Sequence, residues 1–221
     1  MEPIKFHGNP LSTATMRVLA AIYEKELDHE FVLVDMGDGE HKNKYFSSHI
    51  PFGQIPAFED EDLNHFESRA VNTYIAYEYA DKGTQLIYKD SKKMAMASVW
   101  MDVESQQFDQ TASKLVWELL AKPVLLDMSR DTADVEENEA KLAKILDVYE
   151  SRLAQSKYLG GECFTLADLH HLPTIHYLMG TQSKKLFDSR PHVNAWIADI
   201  SARPAWLKVL DWQFAKQTVR N

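Results

Sequence analysis

Two places in the first 82 residues of the sequence put a serine or threonine at the predicted start of a helix. Ser12 and Thr13, in the stretch NPLSTATMRV, stand where a first strand gives way to a first helix, and a hydroxyl there most commonly caps the helix. Ser68 follows Glu67 and begins another helix, so its hydroxyl and the free N–H groups of that helix can hold a carboxylate. These residue types fit either simple capping or the binding of a small anion.

A third stretch, FGQIPAFED, places a proline directly before a predicted strand. Pro56 has no N–H for a strand ladder, and such prolines are normally confined to edges, strand starts and bulges. An X–Pro bond can be cis for only about 0.5–1 kcal/mol. A cis bond here leaves the N–H and C=O of Ile55 pointing outward, where they can grip an extended peptide as a neighbouring strand would. We expect Gln54 and Ile55 to form such a clamp, whereas the dipeptide alone favours a plain loop proline.

A cluster of acidic and imidazole side chains raises the possibility of a metal site. Asp168, His170, His171 and His176 lie within one short stretch of the sequence. Adjacent histidines on a helix point to different faces, however, so they do not converge on one ion. We therefore expect no metal.

The sequence lacks the motifs that two other kinds of catalysis require. Ser12 with His41 suggests a hydrolase, but the chain has no G-x-S-x-G elbow. A thiol–disulfide oxidoreductase needs a cysteine where Ser12 stands, and Cys163 lies in the other half of the chain.

The order of elements in the first part of the chain is strand, helix, strand, and then strand, strand, helix. Apolar residues that alternate indicate the strands, and apolar residues three and four positions apart indicate the helices. This order, with a proline before the hairpin, is the pattern of a thioredoxin-like domain. The predicted elements are Ile4–Gly8, Met16–Lys25, Glu30–Asp35, Ala57–Glu59, Leu63–Phe66 and Ser68–Asp81.

The remainder of the chain has helical periodicity and no convincing strand. An apolar stripe runs from Leu142 to Leu153, and Thr165 can cap a helix while Asp168, three residues on, returns the bond. Pro191 and Pro204 suit the first turns of two last helices. We therefore predict an α/β thioredoxin-like domain at residues 1–82, a linker at 83–90 and an all-α domain at 91–221.

The composition limits the kinds of partner. Thirty-three acidic against 24 basic residues give a net charge of −9, which disfavours nucleic acid and anionic membranes. The single Cys163 excludes an internal disulfide framework and favours a reducing compartment. No apolar run approaches the length of a membrane span, and MEPIKFHG is not a signal peptide. We expect a cytoplasmic protein.

Four stretches together carry a resemblance to a known family, although each is weak alone. They are DGEHK at 38–42, PFGQIPAFED with the following FESRA at 51–70, AKLAKILDVYESRL at 140–153 and YLGGECFTLADLHHLP at 158–173. Together they resemble the plant phi class of the cytosolic glutathione transferases. The resemblance covers nearly the whole chain and implies the same two-domain fold that the element order predicts.

The resemblance implies that Ser12 is the catalytic serine of glutathione activation. Its hydroxyl cannot be the general base because its pKa is far too high, but it can donate a hydrogen bond to the glutathione sulfur and stabilise the thiolate. Arg17, one turn along the helix, can add positive potential, although such an arginine more often lies on a solvated helix face. The implied contacts of glutathione are Ser12, Thr13, His41, Lys42, Gln54, Ile55, Glu67 and Ser68.

The acceptor pocket is implied by family analogy alone. It is expected near Leu11, Met36, Trp117 and Tyr177, each of which is by itself more often a core residue. The expected activity is conjugation of glutathione, as a co-substrate rather than a cofactor, to apolar electrophiles in detoxification and stress response, and reduction of organic hydroperoxides. A homodimer is expected from the family. The alternative is a non-catalytic ligandin that carries small apolar or anionic molecules.

Overall fold

The computed structural model describes residues 3–34 and 50–218, without the side chains of residues 217 and 218. These residues fall into two compact units. The first comprises the chain up to Leu86 together with the chain from Pro204 onward, and the second is Ile87–Arg203.

A four-stranded mixed sheet is the centre of the first unit and consists of β1 (Ile4–Gly8), β2 (His29–Leu33), β3 (Ala57–Asp60) and β4 (Leu63–His65). The strand order is β2-β1-β3-β4, with β1 and β2 parallel and the other pairs antiparallel. Phe6 and Phe58 stand opposite each other on β1 and β3 and are fully buried, because alternate residues of both strands face the core. This is the sheet that the sequence predicts for a thioredoxin-like domain.

Among the described residues, two helices follow strands of this sheet, α1 (Thr13–Glu24) after β1 and α2 (Ser68–Glu78) after β4. The last helix of the chain, α10 (Pro204–Thr218), also belongs to this unit, and α1 packs against both α2 and α10. Because neighbours lie on more than one side of α1, its buried surface includes a charged residue, Arg17, which is only 2% exposed.

The bond between Ile55 and Pro56 is cis, as the sequence predicts. β3 begins at the next residue, Ala57, which pairs with His7 of β1.

The second unit contains seven α-helices and no strand. Two π-helical segments, Glu104–Phe108 and Trp117–Leu125, follow the first and second of these helices. The helices are α3 (Ser91–Val103), α4 (Asp109–Val116), α5 (Thr132–Leu153), α6 (Leu166–Leu169), α7 (Leu172–Met179), α8 (Lys184–Asp188) and α9 (Pro191–Ser201).

The predicted capping box at α6 is confirmed. Oδ2 of the fully buried Asp168 accepts the Thr165 N–H at 3.0 Å, while the Thr165 side chain caps the start of the helix. The two predicted first-turn prolines are also confirmed, since Pro191 begins α9 and Pro204 begins α10.

The position of α10 differs from the sequence expectation, which placed all of residues 91–221 in the helical domain. In the structure, Trp212 of α10 sets its ring edge against Phe31 of β2, with the ring centroids 4.7 Å apart. The apolar periodicity of this segment predicts a helix but does not say on which unit the helix packs.

Candidate active site

The loop between β1 and α1 is organised by one asparagine. The Asn9 Nδ2 donates to the carbonyl of Val34 at 3.2 Å, and its Oδ1 accepts the Leu11 N–H at 3.0 Å. The Asn9 N–H donates to Thr15 Oγ1 at 3.2 Å, and its carbonyl accepts the Ser12 N–H at 3.0 Å. Both the side chain and the backbone of Asn9 therefore fix the path that the chain takes into Ser12.

Ser12 is the N-cap of α1, and its side chain is partly exposed. Its Oγ accepts the Thr15 N–H at 3.2 Å, so the hydroxyl still has its own proton to donate. Among the described residues, none accepts that proton. Thr13, the first residue of α1, is also partly exposed. The hydroxyl thus lies at the positive end of the α1 dipole with a donor available for a bound anion.

A second part of the site joins α1 to the start of α2. The Arg17 Nη1 donates to Ser68 Oγ at 2.9 Å, and the Asn72 Nδ2 donates to the Arg17 carbonyl at 3.0 Å. Ser68 and Asn72 are four residues apart on α2 and therefore share one face of that helix. The expectation that Arg17 lies on a solvated face is wrong, because the packing of α2 on α1 buries it.

The α2 N-terminus offers backbone donors beside this buried cation. Ser68 is the first residue of α2 and is only 5% exposed. The first N–H groups of a helix have no partner within it, and the arginine adds a positive charge to the helix dipole. This combination favours a carboxylate at the start of α2.

Glu67, immediately before α2, has a strained backbone. Its φ is 66° and its ψ is 100°, and its side chain is exposed and makes no capping hydrogen bond to the helix. A non-glycine residue in such a region costs on the order of 1–3 kcal/mol and is typical of ligand clamps.

The two clamp residues lie just before β3. Gln54 is exposed and Ile55 is partly buried against the small apolar cluster that contains Val34, Ile50 and Ala57. Within the part of the chain that the structure describes, neither the N–H nor the C=O of Ile55 has a hydrogen-bond partner. Both groups are therefore available to an extended ligand.

The other predicted site residues are placed as follows. Met36, His41 and Lys42 lie outside the described residues. Leu11 precedes α1 in the first unit and is 38% exposed. In the second unit, Trp117 begins a π-helical segment with 49% of its surface exposed, and Tyr177 of α7 is partly buried.

Three members of the acidic and imidazole cluster, Asp168, His170 and His171, are fully buried in the second unit, and His176 is partly buried. Asp168 accepts from the N–H groups of Leu159 and Thr165 and from the Trp196 Nε1, each at 3.0 Å, and burial raises its pKa to about 6 against the opposing effect of these donors. His171 pairs through Nδ1 with the Ala167 carbonyl at 2.8 Å. Among residues 3–34 and 50–218, no group of three or more metal-ligating side chains converges.

The described helices include none that combines the length and the apolar character needed to cross a bilayer.

Three residues of this site carry interactions that the sequence reasoning missed or misjudged. Asn9, Arg17 and Asn72 are polar residues at buried positions of the first unit. Two features of the sequence could have indicated these positions. Arg17 immediately precedes the apolar stripe of α1, and Asn72 lies one helical turn after Ser68.

Two family models match the chain in the order of its two parts. The glutathione S-transferase N-terminal domain matches residues 2–77, and the glutathione S-transferase C-terminal domain matches residues 108–204. A thioredoxin-like unit with a serine at the α1 N-cap, followed by a helical unit, defines the class as a two-domain glutathione transferase.

Individual relatives match almost end to end. Glutathione S-transferase PARB from Nicotiana tabacum is 61% identical over 208 residues, which are 94% of this chain and 97% of that protein. The crystal structure of a glutathione transferase from Populus trichocarpa has a TM-score of 0.91 at 45% identity and covers 94% of this chain and 98% of its own. Glutathione S-transferase I from mais, in complex with an atrazine glutathione conjugate, has a TM-score of 0.86 at 35% identity and covers 94% and 96%.

The chain therefore belongs to the glutathione S-transferase family, in its plant phi class. Its activity is that of a glutathione transferase.

Proposed function

We propose that this transferase activates glutathione as a thiolate through Ser12 and conjugates it to apolar electrophiles by nucleophilic substitution or addition. The observation that carries the proposal is the Ser12 hydroxyl, which caps α1 through its oxygen and keeps its proton for a ligand. The activity itself follows from the family, and the assignment of residues to roles is the proposal.

The magnitudes are adequate for this role. Lowering the pKa of a thiol from about 8.5 by roughly two units requires about 2.7 kcal/mol. A hydrogen bond to a charged group contributes about 1.5–3 kcal/mol, and a helix N-terminus adds about 0.3–1 kcal/mol. The Ser12 hydroxyl and the start of α1 together cover the requirement without a general base.

Glutathione is proposed to lie extended across the first unit. Ser68, with the buried Arg17 behind it, suits the γ-glutamyl carboxylate, and Glu67 lies beside Ser68 where it can accept from the γ-glutamyl amino group. Gln54 and Ile55 suit the peptide backbone because the Ile55 groups have no other partner among the described residues. The proposal further includes Thr13 next to the thiol, and His41 and Lys42 at the glycine carboxylate.

The acceptor is proposed to be apolar, bound near Leu11, Met36, Trp117 and Tyr177. A relative from mais has been solved with a glutathione conjugate of atrazine, an apolar aromatic molecule, which supports this substrate class. Because a thiolate also attacks a peroxide oxygen, organic hydroperoxides are proposed as second substrates. A homodimer is proposed from the family, and a cytoplasmic location from the single cysteine, which favours a reducing compartment.

A conjugation assay with a generic aryl halide tests the proposal, run with and without glutathione on the native protein and on Ser12→Ala. We expect turnover that requires glutathione and falls in the variant. Binding of the aryl compound without turnover would instead identify a ligandin. Full turnover in the variant would remove Ser12 from the mechanism.

A further inference from the structure

The loop between β1 and α1 has a second anchor, which comes from α10, the last helix of the chain. Gln213 of α10 is 7% exposed, and its Nε2 donates to the carbonyl of Pro10 at 3.1 Å. The same nitrogen lies 3.5 Å from the sulfur of Met16 on α1. The two hydrogen-bonded residues are 203 positions apart in the sequence.

The backbone of Pro10 can be held by a hydrogen bond only through its carbonyl. A proline has no backbone N–H, so its C=O is its single hydrogen-bonding group. The residue before Pro10, Asn9, is held by its side-chain hydrogen bond to the Val34 carbonyl. The residue after it, Leu11, donates its N–H to the Asn9 side chain. Gln213 adds a hydrogen bond to the segment that runs from Asn9 to Ser12, and it does so from outside the loop.

The anchor is itself rigidly placed. Val209 and Trp206, one and two turns before Gln213 on α10, are almost fully buried. The Trp212 ring packs edge-on against Phe31 of β2 at 4.7 Å. The amide of Gln213 therefore holds the loop from a helix that is packed on both α1 and the sheet.

We propose that Gln213 is a positioning residue for thiol activation. Its side-chain amide fixes the Pro10 carbonyl and thereby the direction in which the Ser12 hydroxyl points. This inference rests on the proposed role of Ser12. A hydrogen bond to a thiolate weakens steeply as its angle departs from linear, so a loosened loop raises the pKa of the bound thiol before it affects ligand binding.

The test compares Gln213→Met with Gln155→Met. Met keeps the length of the side chain and removes the donor, and Gln155 is an exposed residue of the second unit. The pKa of the bound glutathione thiol is measured by ultraviolet titration of the thiolate, together with kcat, the KM for glutathione and the melting temperature. Gln213→Leu is a second variant that also removes the donor and adds no charge, in case Met disturbs packing.

For both Gln213 variants we expect a raised thiol pKa and a kcat near neutral pH that falls about two- to tenfold, the factor that one ordinary hydrogen bond is worth. The KM for glutathione should change less than kcat, and Gln155→Met should match the native protein. In a Ser12→Ala background, Gln213→Met should shift the thiol pKa no further, because the two residues act as one unit.

Three results overturn the inference, and they are distinguishable. A lower melting temperature with an unchanged thiol pKa makes Gln213 a packing residue only. A full additional shift in the Ser12→Ala background shows that Gln213 does not act through Ser12. An unchanged thiol pKa in Ser12→Ala alone refutes the proposed role of Ser12, and this inference falls with it.

Discussion

Ser12→Ala removes two interactions at once, and the structure allows them to be separated. The hydroxyl oxygen caps α1 by accepting the Thr15 N–H at 3.2 Å, and its proton is proposed to hold the thiolate. Asp90 caps α3 in the same way, since its Oδ1 accepts the Lys93 N–H at 2.9 Å. Asp90→Ala is therefore a matched control that removes a cap but no thiolate donor.

The two contributions have different sizes and different readouts. Loss of an N-cap lowers the free energy of unfolding by about 0.5–2 kcal/mol, and both variants should show this loss. Loss of the hydrogen bond to the thiolate removes about 1.5–3 kcal/mol, which raises the thiol pKa by about one to two units. The same energy lowers the rate near neutral pH by roughly ten- to a hundredfold, and this loss should be confined to Ser12→Ala.

The assay has three parts: chemical denaturation of both variants, ultraviolet titration of the bound thiol, and the pH–rate profile with an aryl halide. We expect the profile of Ser12→Ala to shift to higher pH while that of Asp90→Ala stays in place. The KM for glutathione should change little, because the clamp and both proposed anion sites remain. If Ser12→Ala behaved like Asp90→Ala in all three measurements, Ser12 would be a helix cap and nothing more.

Further predictions concern the anion sites and the core of the second unit. Ser68→Ala should raise the KM for glutathione about tenfold or more, because a hydrogen bond to a charged group is lost. Lys42→Ala should raise the same KM about two- to fivefold, and both variants should have little effect on the KM for the acceptor. A rise confined to the KM for the acceptor would refute both assignments. Arg17→Met should raise the KM for glutathione as Ser68→Ala does, and the double variant should raise it no further, because the two residues share one hydrogen bond; additive effects would contradict this coupling. Burial raises the pKa of Asp168 from 3.8 to about 6, so the folded state binds that proton more tightly than the unfolded state does. The free energy of unfolding should therefore fall by about 3 kcal/mol as the pH rises from about 4 to about 6, and it should stay level above pH 6. Denaturation across this range should show the fall in the native protein relative to Asp168→Asn, and parallel curves would show that burial does not control this carboxyl.

Much of the local structure follows from the sequence because the interactions that create it are local. The α1 cap spans three residues from Ser12 to Thr15, and the capping box at α6 spans three from Thr165 to Asp168. The pattern of polar and apolar residues at these spacings specifies the start of a helix whatever surrounds it. The thioredoxin-like order of strands and helices also follows from such patterns.

The parts of the site that the sequence does not predict depend on long-range packing. Arg17 and Ser68 are 51 residues apart, and Pro10 and Gln213 are 203 apart. The packing of α2 and α10 on α1 decides which polar side chains contact each other. The periodicity of apolar residues predicts the helices but not how they pack. The assignment of α10 to the helical domain fails for the same reason.

The type of residue at each cap distinguishes the proposed catalytic cap from the structural ones. The long helices α3 and α5 are capped by Asp90 and Asp131, whose carboxylates accept backbone N–H groups and have no proton to donate. A carboxylate at the start of α1 would cap that helix equally well, but its negative charge would raise the pKa of a thiol bound there. Ser12 caps with a neutral oxygen and keeps a donor, so it satisfies the helix and an anionic ligand together. If Ser12 holds the thiolate as proposed, the ligand and not the helix explains the choice of serine over aspartate at this cap.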